Sequence, residues 1–104
     1  MTLTGNHLID GDWIATKGDT FQAVNPANNE RLSTQFTNAS DIEIEVAVSA
    51  ATDSFKTYSG LSDLKRALLL ESIAEEIDSL KESIIERGML ETGLPNMRLQ
   101  GELG

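Results

Sequence analysis

The chain has 104 residues, of which 39% are hydrophobic and 24% are charged, a balance typical of one folded domain rather than of a disordered segment. Its 17 acidic residues outnumber its 8 basic ones and give a formal charge of -9. A field of this sign repels phosphate groups, so we expect neither nucleic acid nor an anionic membrane as a partner.

The cysteine count and the first residues of the chain indicate the cellular compartment of the protein. The sequence contains no cysteine, which excludes disulfides, thiolate metal ligands and a cysteine nucleophile within these residues and fits a reducing compartment. The opening "MTLTGNHLIDGDWI" has neither a basic segment nor an apolar core, so we expect no signal peptide. No apolar run approaches the roughly 20 residues that span a bilayer. We therefore expect a cytoplasmic protein.

The first third of the chain predicts β-hairpins over about residues 7–37. Asp10-Gly11 lies between two apolar stretches and favours a tight type I′ turn. Lys17–Asp19 predicts a second hairpin turn, across which Trp13 and Phe21 would pack.

A third turn is predicted after the first Pro of the chain. Asn25-Pro26 ends a strand, because Pro donates no N–H group and restricts the residue before it. Asn28 or Asn29 is expected to adopt a positive φ in the turn that follows. The alternation in "RLSTQFT" then predicts another strand.

Helices are predicted over about residues 41–58 and 63–92, with a partial helix over 95–104. Ser40 and Glu43 form a capping box in front of the first helix, and Ser62 caps the second. Gly93 suits the end of the second helix, and Pro95 suits the first turn of the third. The apolar stripe of the second helix consists of Leu64, Ala67, Leu70, Ile73, Ala74, Ile77, Leu80 and Ile84.

Composition and spacing alone give no active site. His7 is the single histidine and has no neighbouring residue with which it would form a catalytic or metal motif, so an exposed histidine at a strand edge is expected. Glu71 and Glu75 share one helix face, whereas paired acid and base catalysis needs carboxyl groups that converge from different elements. No Gly-rich phosphate-binding motif is present.

Five stretches occur in an order that indicates a family. They are "LIDGDWI", "FQAVNPANNERL", "SDIEIEVAVSAATDSFKTYSGLS", "LKRALLLESIAEEI" and "ETGLP". Together they resemble the amino-terminal segment of the NAD(P)-dependent aldehyde dehydrogenase superfamily, from about Leu8 to the last residue. The closing "ETGLPNMRLQGE" resembles the branch that oxidises 2-oxoglutarate semialdehyde (2,5-dioxopentanoate), and Leu94, where many members have Lys, favours the same branch. Asn29 replaces the Gly that is usual in the "NPATGE" turn.

The resemblance implies that the chain is an α+β fragment of an α/β enzyme: β-hairpins, two long helices and the start of a third. The whole enzyme would use NAD or NADP. In the family, the nucleophilic cysteine, the glutamate base, the oxyanion-hole asparagine and the cofactor loop all come later in the sequence. We therefore expect these 104 residues to be inactive alone, to bind no cofactor themselves, and to have the rest of an aldehyde dehydrogenase chain as their partner.

The resemblance also implies one candidate ion site. Some members hold a structural monovalent cation with a backbone carbonyl just before the "NP" and with an acidic side chain after the helix that follows "ETG-x-P" begins. The matching positions are Val24 and Glu102. The alternative is that Glu102 is one more solvated carboxylate.

A second hypothesis, from another class of protein, is a free-standing acidic helical module. It would bind a partner protein through the stripe from Leu64 to Ile84. Under either hypothesis apolar helix faces stay uncovered, and because large apolar patches are seldom left open, we expect the chain to self-associate.

Overall fold

A computed structural model describes residues 2–104. The strands are β1 His7–Ile9, β2 Asp12–Ile14, β3 Thr20–Asn25 and β4 Glu30–Thr37. The helices are α1 Asp41–Tyr58, α2 Asp63–Ser79, α3 Lys81–Thr92 and α4 Asn96–Leu103. The predicted fold class, an α+β fragment with β-hairpins followed by helices, is confirmed, although the structure has four helices where two long ones and the start of a third were predicted.

The residues fall into two compact units, each with very little core. The α1 unit consists of Leu3–Phe21 and Thr34–Ala67, and the α4 unit includes Gln22–Ser33 and Leu68–Gly104. Among the described residues, the buried hydrophobic side chains are Ile9, 9% exposed and in the α1 unit, and Ile85, 5% exposed and in the α4 unit. Each unit therefore shields one large apolar side chain and leaves most of the others in contact with solvent.

The first hairpin forms as predicted. β1 and β2 are antiparallel, with Leu8 opposite Trp13 and Ile9 opposite Asp12. Asp10 has φ 52° and Gly11 has φ 84°, the two positive values that a type I′ turn requires. The backbone twist of this turn matches the right-handed twist of the strands. Strands of three residues each are therefore enough to form the hairpin.

The predicted second hairpin turn at Lys17–Asp19 is wrong. β2 pairs with β1, and β3 pairs with β4 in a separate two-stranded sheet. The carbonyl of Asp19 instead accepts a hydrogen bond from the N–H of Asn38, at 3.0 Å. Because β2 and β3 are not neighbours, the expected Trp13–Phe21 pair does not form, and Phe21 stacks on Phe36 with 5.7 Å between ring centroids.

The turn between β3 and β4 depends on three asparagines. The Asn25 Oδ1 accepts the Ala27 N–H at 2.9 Å, and the Asn28 Oδ1 accepts the Glu30 N–H at 3.0 Å. Asn29 has φ 61° and donates its N–H to the Asn25 carbonyl at 2.7 Å. The left-handed residue expected at position 28 or 29 is therefore Asn29.

The predicted second helix is divided at Leu80. This residue has φ -100° and ψ 4°, and its N–H donates to the Ile77 carbonyl three residues back, at 3.1 Å. The apolar spacing continues through the break, so the sequence pattern does not reveal it. Farther on, Gly93 ends α3 with φ 70°, as predicted, and Pro95 lies just before α4 as its N-cap.

Close packing between α3 and α4 explains a glycine inside a helix. A Cβ added to Gly88 would lie 3.1 Å from Leu99 Cδ1. Glycine weakens a helix interior by about 1 kcal/mol relative to alanine, but here it lets the two helices approach. Ile85, the buried residue of the α4 unit, also lies on α3.

Two left-handed glycines provide a matched test of backbone packing. Gly5 has φ +74°, and an added Cβ would lie 1.9 Å from the Gln35 carbonyl oxygen, whereas Gly11 has φ +84° and open space around it. We expect Gly11→Ala to lower the free energy of unfolding by about 1–2 kcal/mol, the cost of a left-handed non-glycine residue. Gly5→Ala should lower it further, because backbone must also move.

Urea titration followed by circular dichroism measures both variants. Equal losses for the two substitutions would contradict the close approach of Gly5 to Gln35.

Candidate functional site

A cluster of polar side chains surrounds the start of α1. The Thr16 hydroxyl donates to Glu43 Oε1. Glu43 Oε2 accepts the Ser40 N–H at 2.7 Å and the Ser40 hydroxyl at 2.9 Å, while the Glu43 N–H donates to Ser40 Oγ at 3.3 Å. The predicted capping box is therefore present, and Thr16 links it to the segment after β2.

These contacts hold the pKa of Glu43 below its ordinary value. The hydrogen bond from Thr16 contributes most, the N–H of Ser40 comes next, and the electrostatic effect of His7 is the smallest cause in the same direction. Hydrogen bonds to a charged carboxylate favour that form. A carboxyl group stabilised as its anion suits a helix cap and does not suit a proton donor.

His7 differs from the exposed strand-edge residue expected from the sequence. It lies on β1, which packs on α1, and its side chain is half-buried. Its Nε2 atom is buried and has no hydrogen-bond partner among residues 2–104. The expected solvent exposure of His7 is wrong, because β1 packs on α1 and leaves this side chain half-buried.

The two candidate cation ligands lie in the α4 unit. Val24 is on β3, and its side chain is 42% exposed. Glu102 is on α4, where its Oε1 is 2.7 Å from Nη2 of Arg98. It also lines a cleft of about 290 Å³ together with Ala74, Ile77, Asp78, Lys81 and Leu103. Val24 does not line this cleft.

The chemistry of these groups does not yet make a cation site. Glu102 is engaged by a guanidinium group, and hard cations require more oxygen ligands than one carbonyl and one carboxylate. Within residues 2–104, no group of three or more histidine or carboxylate side chains is arranged to hold a metal. The assignment of Val24 and Glu102 stays a prediction.

Sequence reasoning missed two of these contacts for different reasons. Arg98 and Glu102 stand at i, i+4 on one helix, a spacing that favours an ion pair, so a search of charge spacing would have found them. Thr16 and Glu43 are 27 residues apart, and no local pattern connects them. Only the packing of the α1 unit brings them together.

Comparison with known proteins identifies the family. The model of the aldehyde dehydrogenase family matches residues 13–104, most of the chain. The chain belongs to the aldehyde dehydrogenase family. The resemblance drawn from the five sequence stretches is therefore confirmed.

Relatives within this aldehyde dehydrogenase family include enzymes named for semialdehydes. "Alpha-ketoglutaric semialdehyde dehydrogenase 2" of Azospirillum brasilense is 40% identical over 100% of this chain and 20% of its own length. "Alpha-ketoglutaric semialdehyde dehydrogenase" of Acinetobacter baylyi is 33% identical over 96% of this chain and 19% of its own length. "Succinate-semialdehyde dehydrogenase [NADP(+)] 2" of Schizosaccharomyces pombe is 33% identical over 92% of this chain and 20% of its own length.

The coverage limits what these 104 residues represent. They span about a fifth of the length of the relatives they match. Among the described residues, no helix is both long enough and apolar enough to cross a membrane.

The Thr16–Glu43 hydrogen bond predicts a specific dependence of stability on pH. Thr16→Val removes the largest cause of the lowered pKa, so the pKa of Glu43 should rise toward its ordinary value of 4.5. Because the folded-state pKa is lowered, the stabilisation is complete above the unfolded-state value and is lost as pH falls through the folded-state value. The stability difference between the native sequence and the variant should therefore be largest above pH 4.5 and shrink in stronger acid.

NMR titration of the Glu43 carboxyl and thermal unfolding at several pH values measure both effects. Thr57→Val, on an exposed part of α1, is the control and should leave the Glu43 titration unchanged. A stability difference that is constant from neutral to acidic pH would contradict the assignment.

Proposed function

We propose that this chain is the amino-terminal scaffold of an NAD(P)-dependent aldehyde dehydrogenase that oxidises 2-oxoglutarate semialdehyde to the dicarboxylate. The observation that carries this proposal is the 40% identity, across the whole chain, to an alpha-ketoglutaric semialdehyde dehydrogenase five times its length. A second relative of the same name supports it at 33% identity. The lack of cysteine supports a reducing compartment such as the cytoplasm.

The contribution of these residues is structural. In the whole enzyme, NAD or NADP supplies the hydride acceptor. The 104 residues contain no cysteine and no Gly-rich phosphate-binding motif, and the Glu43 carboxylate is held as a helix cap. We therefore propose that the isolated chain binds no cofactor and has no dehydrogenase activity.

We propose that a monovalent cation binds at Val24 and Glu102 only in the longer enzyme. Two oxygens are too few for a hard cation, so additional ligands must come from other residues. The Arg98–Glu102 pair is solvent-exposed, and such pairs contribute at most about 1 kcal/mol. Release of Glu102 to a cation is therefore energetically accessible.

A free-standing helical module is the second candidate. The observation that favours it is the exposure of Leu64 and Leu70 in the apolar stripe of α2. A specific heterologous partner of the isolated chain, together with a monomeric and cooperatively folded free state, would support this candidate over the scaffold.

The isolated chain is expected to self-associate. Phe55 on α1 is 65% exposed, and large exposed apolar residues favour association in water. The mass measured by light scattering should rise above 11.3 kDa as concentration increases, and Phe55→Glu should reduce this rise. Ser54→Glu, at the adjacent exposed position, adds the same charge and should have a smaller effect. A monomer at all concentrations would contradict the expectation.

Chimeras test the scaffold role and the substrate branch together. The 104-residue chain replaces the matching fifth of the Azospirillum brasilense relative and, separately, of the Schizosaccharomyces pombe relative. We expect soluble enzyme and NAD(P)H formation from the first chimera, with smaller activity from the second, because packing surfaces are better matched at higher identity. The isolated chain should form no NAD(P)H.

The controls are the two unaltered relatives and a Glu102→Gln version of the first chimera. If sodium stabilises the first chimera more than a bulky organic cation does, the Glu102→Gln version should lose this difference. Two inactive, insoluble chimeras would refute the scaffold proposal, and higher activity in the second chimera would refute the branch assignment.

A further inference from the structure

The tip of the first hairpin brings a carboxyl group next to an unhindered backbone amide. Asp10 and Gly11 are the two central residues of the turn, and both are exposed to solvent. Among residues 2–104, no side-chain hydrogen bond or ion pair engages the Asp10 carboxylate. Within the same residues, apart from the immediate chain neighbours, no heavy atom lies within 4 Å of the place that a Cβ on Gly11 would occupy. Neither reacting group is therefore blocked by its surroundings.

The sequence places this combination at one position. Of the seven aspartates, Asp10 alone precedes a glycine, and no asparagine precedes one. The other six are followed by residues with a side chain, which hinders attack of the next backbone nitrogen on the aspartyl carboxyl group, whereas glycine has none. In addition, Asp41, Asp53, Asp63 and Asp78 lie in α1 and α2, where the helical backbone restrains the rotation that such an attack needs.

We propose that Asp10 is a modification site at which aspartate is converted to isoaspartate. The Gly11 nitrogen attacks Cγ of the protonated Asp10 carboxyl group, an N–Cγ bond forms, and the hydroxyl group leaves with the amide proton as water. Water then attacks the backbone carbonyl carbon of Asp10 in the resulting five-membered succinimide and breaks its bond to the Gly11 nitrogen. One water molecule is released and one is consumed, so the product is an isomer and no oxidant is needed. The reaction does not depend on the proposed scaffold function.

The hairpin gives the turn access to the reactive geometry. Ring closure requires rotation about the Cα–C bond of Asp10, away from the conformation that the type I′ turn imposes. Only three residue pairs of β1 and β2 oppose this rotation, and two-stranded hairpins are marginally stable. Asp10 also has φ 52°, a left-handed value that is unfavourable for a residue with a Cβ. Local opening of the hairpin therefore exposes the reactive form without requiring the helices to unfold.

Isoaspartate would alter the hairpin, because the backbone then passes through the former side chain. The modified residue contributes one more backbone atom, and its former backbone carboxyl group becomes the side group. A type I′ turn is built from two residues of ordinary backbone, so the pairing of Ile9 with Asp12 should be lost. Because β1 packs on α1, the change should also loosen the surroundings of Ile9, the buried apolar side chain of the α1 unit.

Incubation of the purified 104-residue chain at mildly acidic pH, folded in buffer and unfolded in urea, tests the proposal. Isoaspartate is measured by methyl transfer from S-adenosylmethionine with an L-isoaspartyl methyltransferase, and it is located in peptides by electron-transfer fragmentation. Asp53 is the internal control, because it is exposed but lies within α1. In the folded chain we expect isoaspartate to accumulate at least about tenfold faster at Asp10 than at Asp53, since the helix opens less readily than the hairpin.

Two variants test the reacting groups. Asp10→Glu keeps the carboxyl group but would have to close a six-membered ring, so methyl acceptance at position 10 should disappear. Gly11→Ala adds a methyl group beside the attacking nitrogen and should slow the reaction at Asp10. The urea-unfolded samples give the same comparison if either variant fails to fold.

Three results would overturn the proposal. Isoaspartate that forms at Asp10 in urea but not in the folded chain would show that the turn protects this residue. Equal accumulation at Asp10 and Asp53 in the folded chain would show that the hairpin confers no selectivity. An unchanged rate in unfolded Gly11→Ala would show that the Gly11 nitrogen is not the attacking group.

Discussion

The exposure of apolar side chains to solvent is the constraint on which the rest of this structure depends. Each unit buries one large hydrophobic side chain, Ile9 in the α1 unit and Ile85 in the α4 unit, while isoleucines and leucines along α2 remain in contact with water. Burial of such side chains is the main favourable term in folding, at roughly 1.5–3 kcal/mol for each one fully buried. Most large apolar side chains of the described residues therefore add little to this term, because they stay in contact with solvent.

Local interactions fix much of the secondary structure that burial in a larger core would otherwise help to fix. The Asp10-Gly11 turn, the asparagine turn before β4 and the capping box of α1 each satisfy backbone groups without burying much apolar surface. Such features contribute about 1 kcal/mol each. They determine where elements begin and end, but they do not hold the elements tightly together.

The polar clusters among the described residues stabilise local structure. The Thr16–Glu43–Ser40 cluster stabilises a charged carboxylate at a helix start. Glu102 is paired with Arg98 on the surface of α4. Neither arrangement provides a nucleophile or a proton donor. The family match and the semialdehyde relatives show that the chain belongs to the aldehyde dehydrogenase family.

The sequence by itself determined the features that depend on neighbouring residues: the first turn, the caps at Ser40 and Gly93, the order of strands and helices, and the family. It did not predict the separation of β2 from β3 or the break at Leu80, because a turn signal and an unbroken apolar spacing fit more than one arrangement. It also missed Thr16 beside Glu43 and the half-buried His7. Those contacts join residues far apart in the chain, and only the tertiary structure decides which distant surfaces meet.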